Sequence, residues 1–503
     1  MIRFQFYSHG KAVQQMSLAG AYLFGQDDIP VRAQLNFADG QLIGLRNSDS
    51  AVGLSLLWEV EGFGKISLQT TRLPIRNRPY NLNVEIARSR LLKISQKREE
   101  WGMTDLELAE ERHQMIDGAL DKFVAALCHL DEPEKAAQYA DESLALSMQA
   151  GEQMAQFHGE VFLQRRTSTQ GFGRHSFGCC IDPKRIKDHA YMNYIKANFH
   201  FVTVPVCWRE IEPKEQEQNF ELLDECVNQL VHNRIAVKVG PLVSFAPAMI
   251  PDWLYIWEND FEQVREMAYE FISKVVERYS KKVQAWDVIS GLNAHNGFNF
   301  SFEQILEMTR SAALAAKRSS TRSLVLIELV EPWGEYYAMN QRTVPPLIYA
   351  DMICQSGIVF DGFGLKIRFG QPGSGCRSRD LLELSGLLDR FANFGKQVHL
   401  AGVQVPSEAE KQPDKGDKPC EAGCWHGSWS EAVQAEWLRN VYRIGLSKPY
   451  IDTITWQDLA DCETGIMQNG GLLKKDLTPK LAYQQLCQLK KELIKPERGK
   501  GNQ

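Results

Sequence analysis

A chain of 503 residues exceeds what one ordinary hydrophobic core fills, so about two or three domains are expected. Its hydrophobic content of 44% and charged content of 24% are those of a soluble globular protein and exclude bulk disorder. A net charge of -6 gives no reason to expect nucleic acid or an anionic membrane as partner, and no window approaches about 18 uninterrupted apolar residues, so no membrane span is expected.

The opening MIRFQFYSHGKAVQQ lacks a basic stretch followed by a long apolar run, so no export signal is read there. Eleven cysteines, an odd number scattered through predicted strands and helices such as those holding Cys226 and Cys487, suit reduced core residues better than a disulfide framework. Together these features imply a cytoplasmic protein.

Residues 1 to about 95 read as short β-strands. Gly40, Gly44, Gly53, Gly62 and Gly64 punctuate runs such as 30–37, 52–58 and 65–70, the spacing of a small antiparallel sandwich. Trp58, Phe63 and Tyr80 would either form a carbohydrate-binding face or fill the core. From Thr104 the period becomes helical. Thr104-Asp105-Leu106-Glu107 has capping-box chemistry, and Leu106, Ala109, Met115, Ile116, Leu120, Phe123 and Leu127 continue at helical spacing. After a break at Asp131-Glu132-Pro133, a second helix runs from about Glu134 to Arg166, with Met148, Met154 and Phe157 expected against the following domain. The chain thus divides into a sandwich-like domain over 1–100, a helical connector over 101–170, a larger domain over 171–494 and a disordered tail over 495–503.

Beyond Thr167, strand and helix alternate eight times. Strands are predicted near Ser176–Cys180, Phe201–Cys207, Ile235–Val243, Val283–Ser290, Ser323–Val330, Phe360–Ile367, Gln397–Val405 and Ile451–Gln457. Amphipathic helices such as Phe220–His232, Phe261–Tyr279, Phe302–Lys317, Asp380–Phe394 and Ser430–Leu446 separate them. Eight such units make a (β/α)₈ TIM barrel, an α/β fold whose ligands bind at the strand C-termini. No Gly-rich phosphate loop follows an early strand, which argues against a doubly wound sheet, and no cofactor is expected.

Within these units Trp286-Asp287-Val288-Ile289-Ser290-Gly291 resembles the fourth-strand motif Trp-Asp-Val-Val-Asn-Glu of glycoside hydrolase family 10, the xylanase family. The likeness continues in order. Trp208, Glu212-Pro213, Phe220 and Asp224 are similar to the segment after the family's second strand. Val239-Gly240-Pro241-Leu242-Val243 with Pro251-Asp252-Trp253 resembles its Arg-Gly-His-Thr-Leu-Val and Pro-x-Trp, although Pro241 replaces the His. Phe360-Asp361-Gly362-Phe363-Gly364-Leu365 is similar to Ile-Asp-Gly-Ile-Gly-Leu, but Lys366 and Arg368 replace the usual Gln and His. The ending from Gly470 to Tyr483 resembles that of many related glycosidases.

This resemblance implies an oligosaccharide ligand and places Gly291 at the family's acid/base glutamate and Gly402 at its nucleophile. Retaining glycosidases need two carboxyls about 5 to 5.5 Å apart, which two glycines do not supply. Either other carboxylates have taken over hydrolysis of a β-linked oligosaccharide, or the barrel binds carbohydrate or a protein partner without catalysis. Glu328 and Glu335 around the fifth strand, with Glu331 between them, and Asp458 after the eighth are the catalytic candidates, since a carboxylate buried among apolar rings can acquire a general acid's pKa. Trp208, Lys238, Asp287, Lys366, Arg368, Gln404 and Trp456 are the expected substrate contacts. The acids would alternatively pair with Lys238, Lys366 or Arg368. Cys420, Cys424 and His426 after the seventh strand would hold zinc only with a fourth ligand such as Cys462. Otherwise Trp425 and Trp429 simply pack that loop or stack a sugar, and the expected metal count is none.

Overall fold

The computed structural model describes residues 1–103, 110–169, 171–172, 174–409, 421–463, 465 and 467–494. Thr104 to Glu107, Cys420 and the tail over 495–503 lie outside the described residues. Eight parallel strands close into a barrel: β1 (Phe177–Cys180), β2 (Phe201–Val204), β3 (Ala236–Val239), β4 (Ala285–Ser290), β5 (Leu324–Leu329), β6 (Gly362–Arg368), β7 (Gln397–Gln404) and β8 (Ile451–Trp456), with β8 paired back to β1. Each expected strand is found within a few residues of its predicted bounds. The strands are almost wholly buried because helices cover their outer faces and side chains fill the interior. Helices follow every strand, from His189–Asn198 to Leu481–Leu493. That at Phe302–Ser319 begins with a capping box, in which Ser301 and Gln304 satisfy each other's backbone N–H groups.

The N-terminal region forms two four-stranded sheets. One orders Tyr80–Asn81, Ile2–Gln5, Gln41–Leu45 and Gln34–Ala38; the other Pro30–Val31, Tyr22–Phe24, Gly53–Val60 and Gly64–Gln69. The sheets face each other: Leu23 of the second lies against Gly44 of the first, and Phe6 meets Trp58 edge-on at 5.5 Å. Trp58, Phe63 and Tyr80 are all buried, so these aromatics belong to the core and do not form an open sugar-binding face.

Strands were expected to about residue 95, but α1 (Leu82–Glu100) is helical, its N-terminus capped by Asn81. The helix has little amphipathic pattern to read because it is enclosed on several sides: Leu82, Asn83, Val84, Glu85, Ile86 and Ala87 are buried in succession. α2 (Glu110–Cys128) and α3 (Pro133–Thr169) complete the helical layer. α3 has 37 residues, roughly 55 Å at 1.5 Å per residue, and packs along the barrel helix Glu431–Ser447. Met148 and Met154 are buried within it.

Sheet, helices and barrel are joined by specific polar seams. Arg90 of α1 meets Asp380 at 3.0 Å with both side chains buried, and Asp380 itself caps the barrel helix Leu381–Ala392. The edge strand Gly64–Gln69 is extended by barrel loops: Ser67 N–H donates to Ser378 O, Cys424 N–H to Lys65 O and His426 N–H to Phe63 O, at 2.8, 2.7 and 2.6 Å. A cleft of about 810 Å³ runs between the second sheet, α1 and the helix Leu381–Ala392. Its charges pair among themselves, as in Lys97 with Asp389 at 3.2 Å and Arg390 with Asp28 at 3.3 Å. No helix among the described residues is long and apolar enough to cross a membrane.

Candidate ligand site at the barrel mouth

Because side chains alternate along each strand, inward-facing polar residues of successive strands stack into layers toward the C-terminal end. Lys238 of β3 and Asp287 of β4 form the deep layer, with Nζ and Oδ2 2.9 Å apart and both residues buried. Above it, Lys366 Nζ of β6 lies 2.8 Å from Glu328 Oε1 of β5, and Ser290 Oγ donates to the same carboxylate. At the rim, Gln404 Nε2 donates to Asp458 Oδ2 at 2.6 Å, and Arg368 ends β6 in register with Gln404. Lys238, Asp287, Glu328, Lys366, Arg368, Gln404 and Asp458 therefore converge on one mouth.

Their environment divides the carboxylates. Burial pushes Glu328 up, but the charge and hydrogen bond of Lys366, the Ser290 hydroxyl and the charge of Lys238 outweigh it, leaving Glu328 below the ordinary glutamate range. Asp287 is raised to about 6: burial is the largest cause and Glu328 adds repulsion, against the attraction of Lys238. Burial raises Glu331, just beyond β5, to about 7, with Ser374 and Arg368 opposing and Glu335 adding to the rise. Asp458 is raised by burial against Gln404 and Arg368. Burial, then Arg368 and Lys366, lowers the imidazole of His295.

Several polar atoms here have no hydrogen-bond partner among the described residues: Thr203 Oγ1, Asp287 Oδ1, Glu331 Oε2, Arg368 Nη1, Gln404 Oε1 and Thr455 Oγ1, and also Lys238 Nζ, whose contact with Asp287 is an ion pair without hydrogen-bond geometry. Buried polar atoms are ordinarily satisfied, so a group of orphans at the C-terminal end of the barrel marks it as the place where solvent or ligand completes the bonding.

Two expected contacts and one catalytic candidate lie elsewhere. Trp208 is buried on its helical turn, donates to Glu212 Oε2 at 2.9 Å and stacks on Phe271. Trp456 is buried at the end of β8, where its indole N–H donates to Gly470 O at 2.9 Å. Glu335 is also committed: Arg379 and Arg377 bind its carboxylate and Gly375 N–H donates to it at 2.9 Å. The expected pairing of acids with lysines occurs for Asp287 and Glu328, whereas Glu335 uses arginines of the loop after β6. His295 and Ser374 enter the mouth without being named from the sequence, whereas Glu331 is read at the rim from the Leu-Val-Glu-Pro-Trp exit of β5.

The glycines at the two positions singled out by resemblance differ. Gly291 has φ +68°, and a Cβ there would lie 2.9 Å from His295 Cδ2 and 3.1 Å from Val330 Cγ2. Gly402 lies within β7 beside Lys366, and a Cβ there would strike the flexible tip of Gln457 and lie 3.3 Å from Lys366 Cγ. In the following loop Trp425 and Trp429 are buried; Trp425 donates to Glu152 at 2.7 Å and Trp429 to Gly423 O at 3.2 Å. Among the described residues no group of three His, Cys, Asp or Glu side chains is placed to hold a metal ion.

The profile of glycosyl hydrolase family 10 matches residues 165–489. An endo-1,4-beta-xylanase/feruloyl esterase of Xylanibacter ruminicola is 23% identical over 323 residues, covering 59% of this chain and 43% of that protein. A beta-1,4-xylanase of Dictyoglomus thermophilum is 30% identical over 112 residues, 22% of this chain and 31% of that one. The chain thus spans less than half the length of these curated relatives. Among solved structures, a GH10 endoxylanase from a sugarcane soil metagenome matches with TM-score 0.50 and 16% identity over 64% of this chain and 98% of its own. Native xylanase 10B of Thermotoga maritima gives 0.49 and 18% over 64% and 97%. With its profile matched over about two thirds of the sequence, on a closed eight-stranded barrel, the chain belongs to glycosyl hydrolase family 10.

Proposed function

We propose that the barrel mouth recognises a β-linked oligosaccharide without carrying out the double displacement that runs on two glutamates. The observation that carries this reading is the neutralisation of the inner acids: Asp287 and Glu328 each lie against a lysine. A retaining mechanism needs one carboxyl free to attack and another protonated to release the leaving group. A carboxylate bound by an ammonium loses nucleophilicity, and one held below the ordinary range has no proton to donate. The two positions where the family resemblance expects those glutamates are Gly291 and Gly402. Orphaned polar atoms on β2, β4, β6, β7 and β8 suit the many hydroxyls of a sugar. Two relatives bearing xylanase names support xylo-oligosaccharides as the first ligands to try.

The test is calorimetric titration with xylo-, cello- and manno-oligosaccharides, paired with reducing-sugar assays from pH 4 to 8. Binding without release of reducing ends is the expected result. Release at a rate above the buffer control would overturn it.

Hydrolysis by relocated carboxyls is the second reading, and the rim favours Glu331 and Asp458 for it over Glu328 or Glu335. Glu331 is raised to about 7, the range of a general acid at neutral pH, and Asp458 is raised as well. If sugar is released, Glu331→Gln or Asp458→Asn should lower kcat by roughly 10² to 10⁴ with binding retained. A turnover rate unaltered by both substitutions would remove this assignment.

A further inference from the structure

We infer that the oligosaccharide taken by this mouth is anionic, and that Arg368 binds its charged substituent; the inference rests on the proposed reading of the mouth as an oligosaccharide site. The ionic accounting of the mouth leads there. Lys238 is matched by Asp287 at 2.9 Å and Lys366 by Glu328 at 2.8 Å, so both lysines are internally neutralised. Arg368 forms no ion pair among the described residues, and its Nη1 is buried with no hydrogen-bond partner.

A buried guanidinium N–H without an acceptor costs more than an ordinary neutral donor would, and such a cost is sustained where a ligand supplies the acceptor. Asp458 and Glu331 are near enough to feel the charge of Arg368, but neither closes an ion pair with it, and Asp458 is engaged by Gln404 instead. The planar guanidinium fork matches a group offering two oxygens, as carboxylate and sulfate both do. His295 does not compete for that group as a second cation, since burial and the neighbouring Arg368 and Lys366 favour its neutral form.

The sequence supports the same direction. On β6, Lys366 and Arg368 stand where the family resemblance expects Gln and His, groups sufficient for neutral hydroxyls. Two cations were therefore placed on one strand; the inner is cancelled by Glu328 and the outer is left facing the rim. A neutral sugar could accept from the N–H but would not form the charge-assisted, two-oxygen bond that the guanidinium fork can make.

The experiment titrates the full chain with three matched ligands: a neutral xylo-oligosaccharide, the same oligomer carrying one uronic acid, and a sulfated counterpart. The expected result is affinity about tenfold or more higher for at least one charged ligand at low salt, falling as salt is raised. The stronger of the two charged arms identifies carboxylate or sulfate as the substituent. Arg368→Gln should bring the ratio of charged to neutral affinity to about one, and Arg368→Lys should retain part of it. Circular dichroism and a melting curve confirm that each variant is folded. Equal affinity for neutral and charged ligands, or an unchanged ratio in folded Arg368→Gln, would overturn the inference while leaving the oligosaccharide reading in place. Binding to none of the three would remove both.

Discussion

Lys366 Nζ and Glu328 Oε1 stand 2.8 Å apart on adjacent strands of the barrel, and Ser290 donates to the same carboxylate from the strand on its other side. Three neighbouring strands are thereby tied through one buried acid. Replacing Lys366 by Met leaves that charge uncompensated and should destabilise the fold by about 3 kcal/mol or more, while the double variant Lys366→Met with Glu328→Gln should recover much of the loss. Urea unfolding of the four proteins of this cycle checks it. Additive losses would mean that the two side chains are energetically independent.

The same pair has a pH signature. Glu328 has its folded pKa depressed, so its contribution to stability is present above the unfolded glutamate value of about 4.3 and is lost as pH falls through the lower folded value. Wild type should lose stability relative to Glu328→Gln only in acid, below about pH 4. A stability difference constant between pH 7 and pH 2 would refute the linkage.

The two glycines should respond differently to glutamate. Gly291→Glu forces an L side chain into the left-handed region and against His295 and Val330, at a cost of about 1–3 kcal/mol. Gly402→Glu displaces the flexible ends of Gln457 and Lys366 and not backbone, and should fold nearly as wild type, with Lys366 beside the new carboxylate. Thermal melts of the single variants distinguish these cases. Equal melting temperatures would show that the loop after β4 relaxes freely.

Glu335 should matter for domain docking more than for any turnover. Its carboxylate gathers Arg377 and Arg379, and an added Cβ on Gly20 of the sheet region would strike Arg377. Glu335→Gln strips one charge from this buried group, so the sheets should loosen from the barrel and limited proteolysis should cleave between them sooner. A digestion pattern identical to wild type's would count against a docking role.

A further pH effect belongs to the opposite seam. His426 donates its backbone N–H to Phe63 O, while its ring lies 2.6 Å from Glu152 Oε2 of α3. Burial alone would lower the imidazole, but the hydrogen bond and charge of Glu152 raise it overall. With the folded pKa raised, the stabilisation is fully present below the unfolded histidine value of about 6.5 and is lost as pH rises through the folded value. Melting temperatures of wild type and His426→Gln should converge as pH increases from 6 to 9. A gap that widens instead would reverse the assigned sign.

The alternation of apolar runs and amphipathic helices was enough to locate all eight barrel strands, because a buried strand and a one-faced helix each imprint a local period on the sequence. The segments around Trp286-Asp287 and Phe360 to Leu365 carried the family likeness in the same local way. Strand ends also put Lys238, Asp287, Glu328, Lys366, Arg368, Gln404 and Asp458 at one mouth, since barrel topology places every C-terminal end on the same side. α1 escaped because burial on several faces erases the period that would reveal it. Partner choice was decided only by the tertiary structure. Glu328 and Glu335 are seven positions apart and both acidic, yet one meets Lys366 inside the barrel and the other meets Arg377 and Arg379 beneath the sheets. A charge's role depends on which distant side chain closes to within about 3 Å and on the solvent excluded around it, and neither quantity has a local trace in the chain.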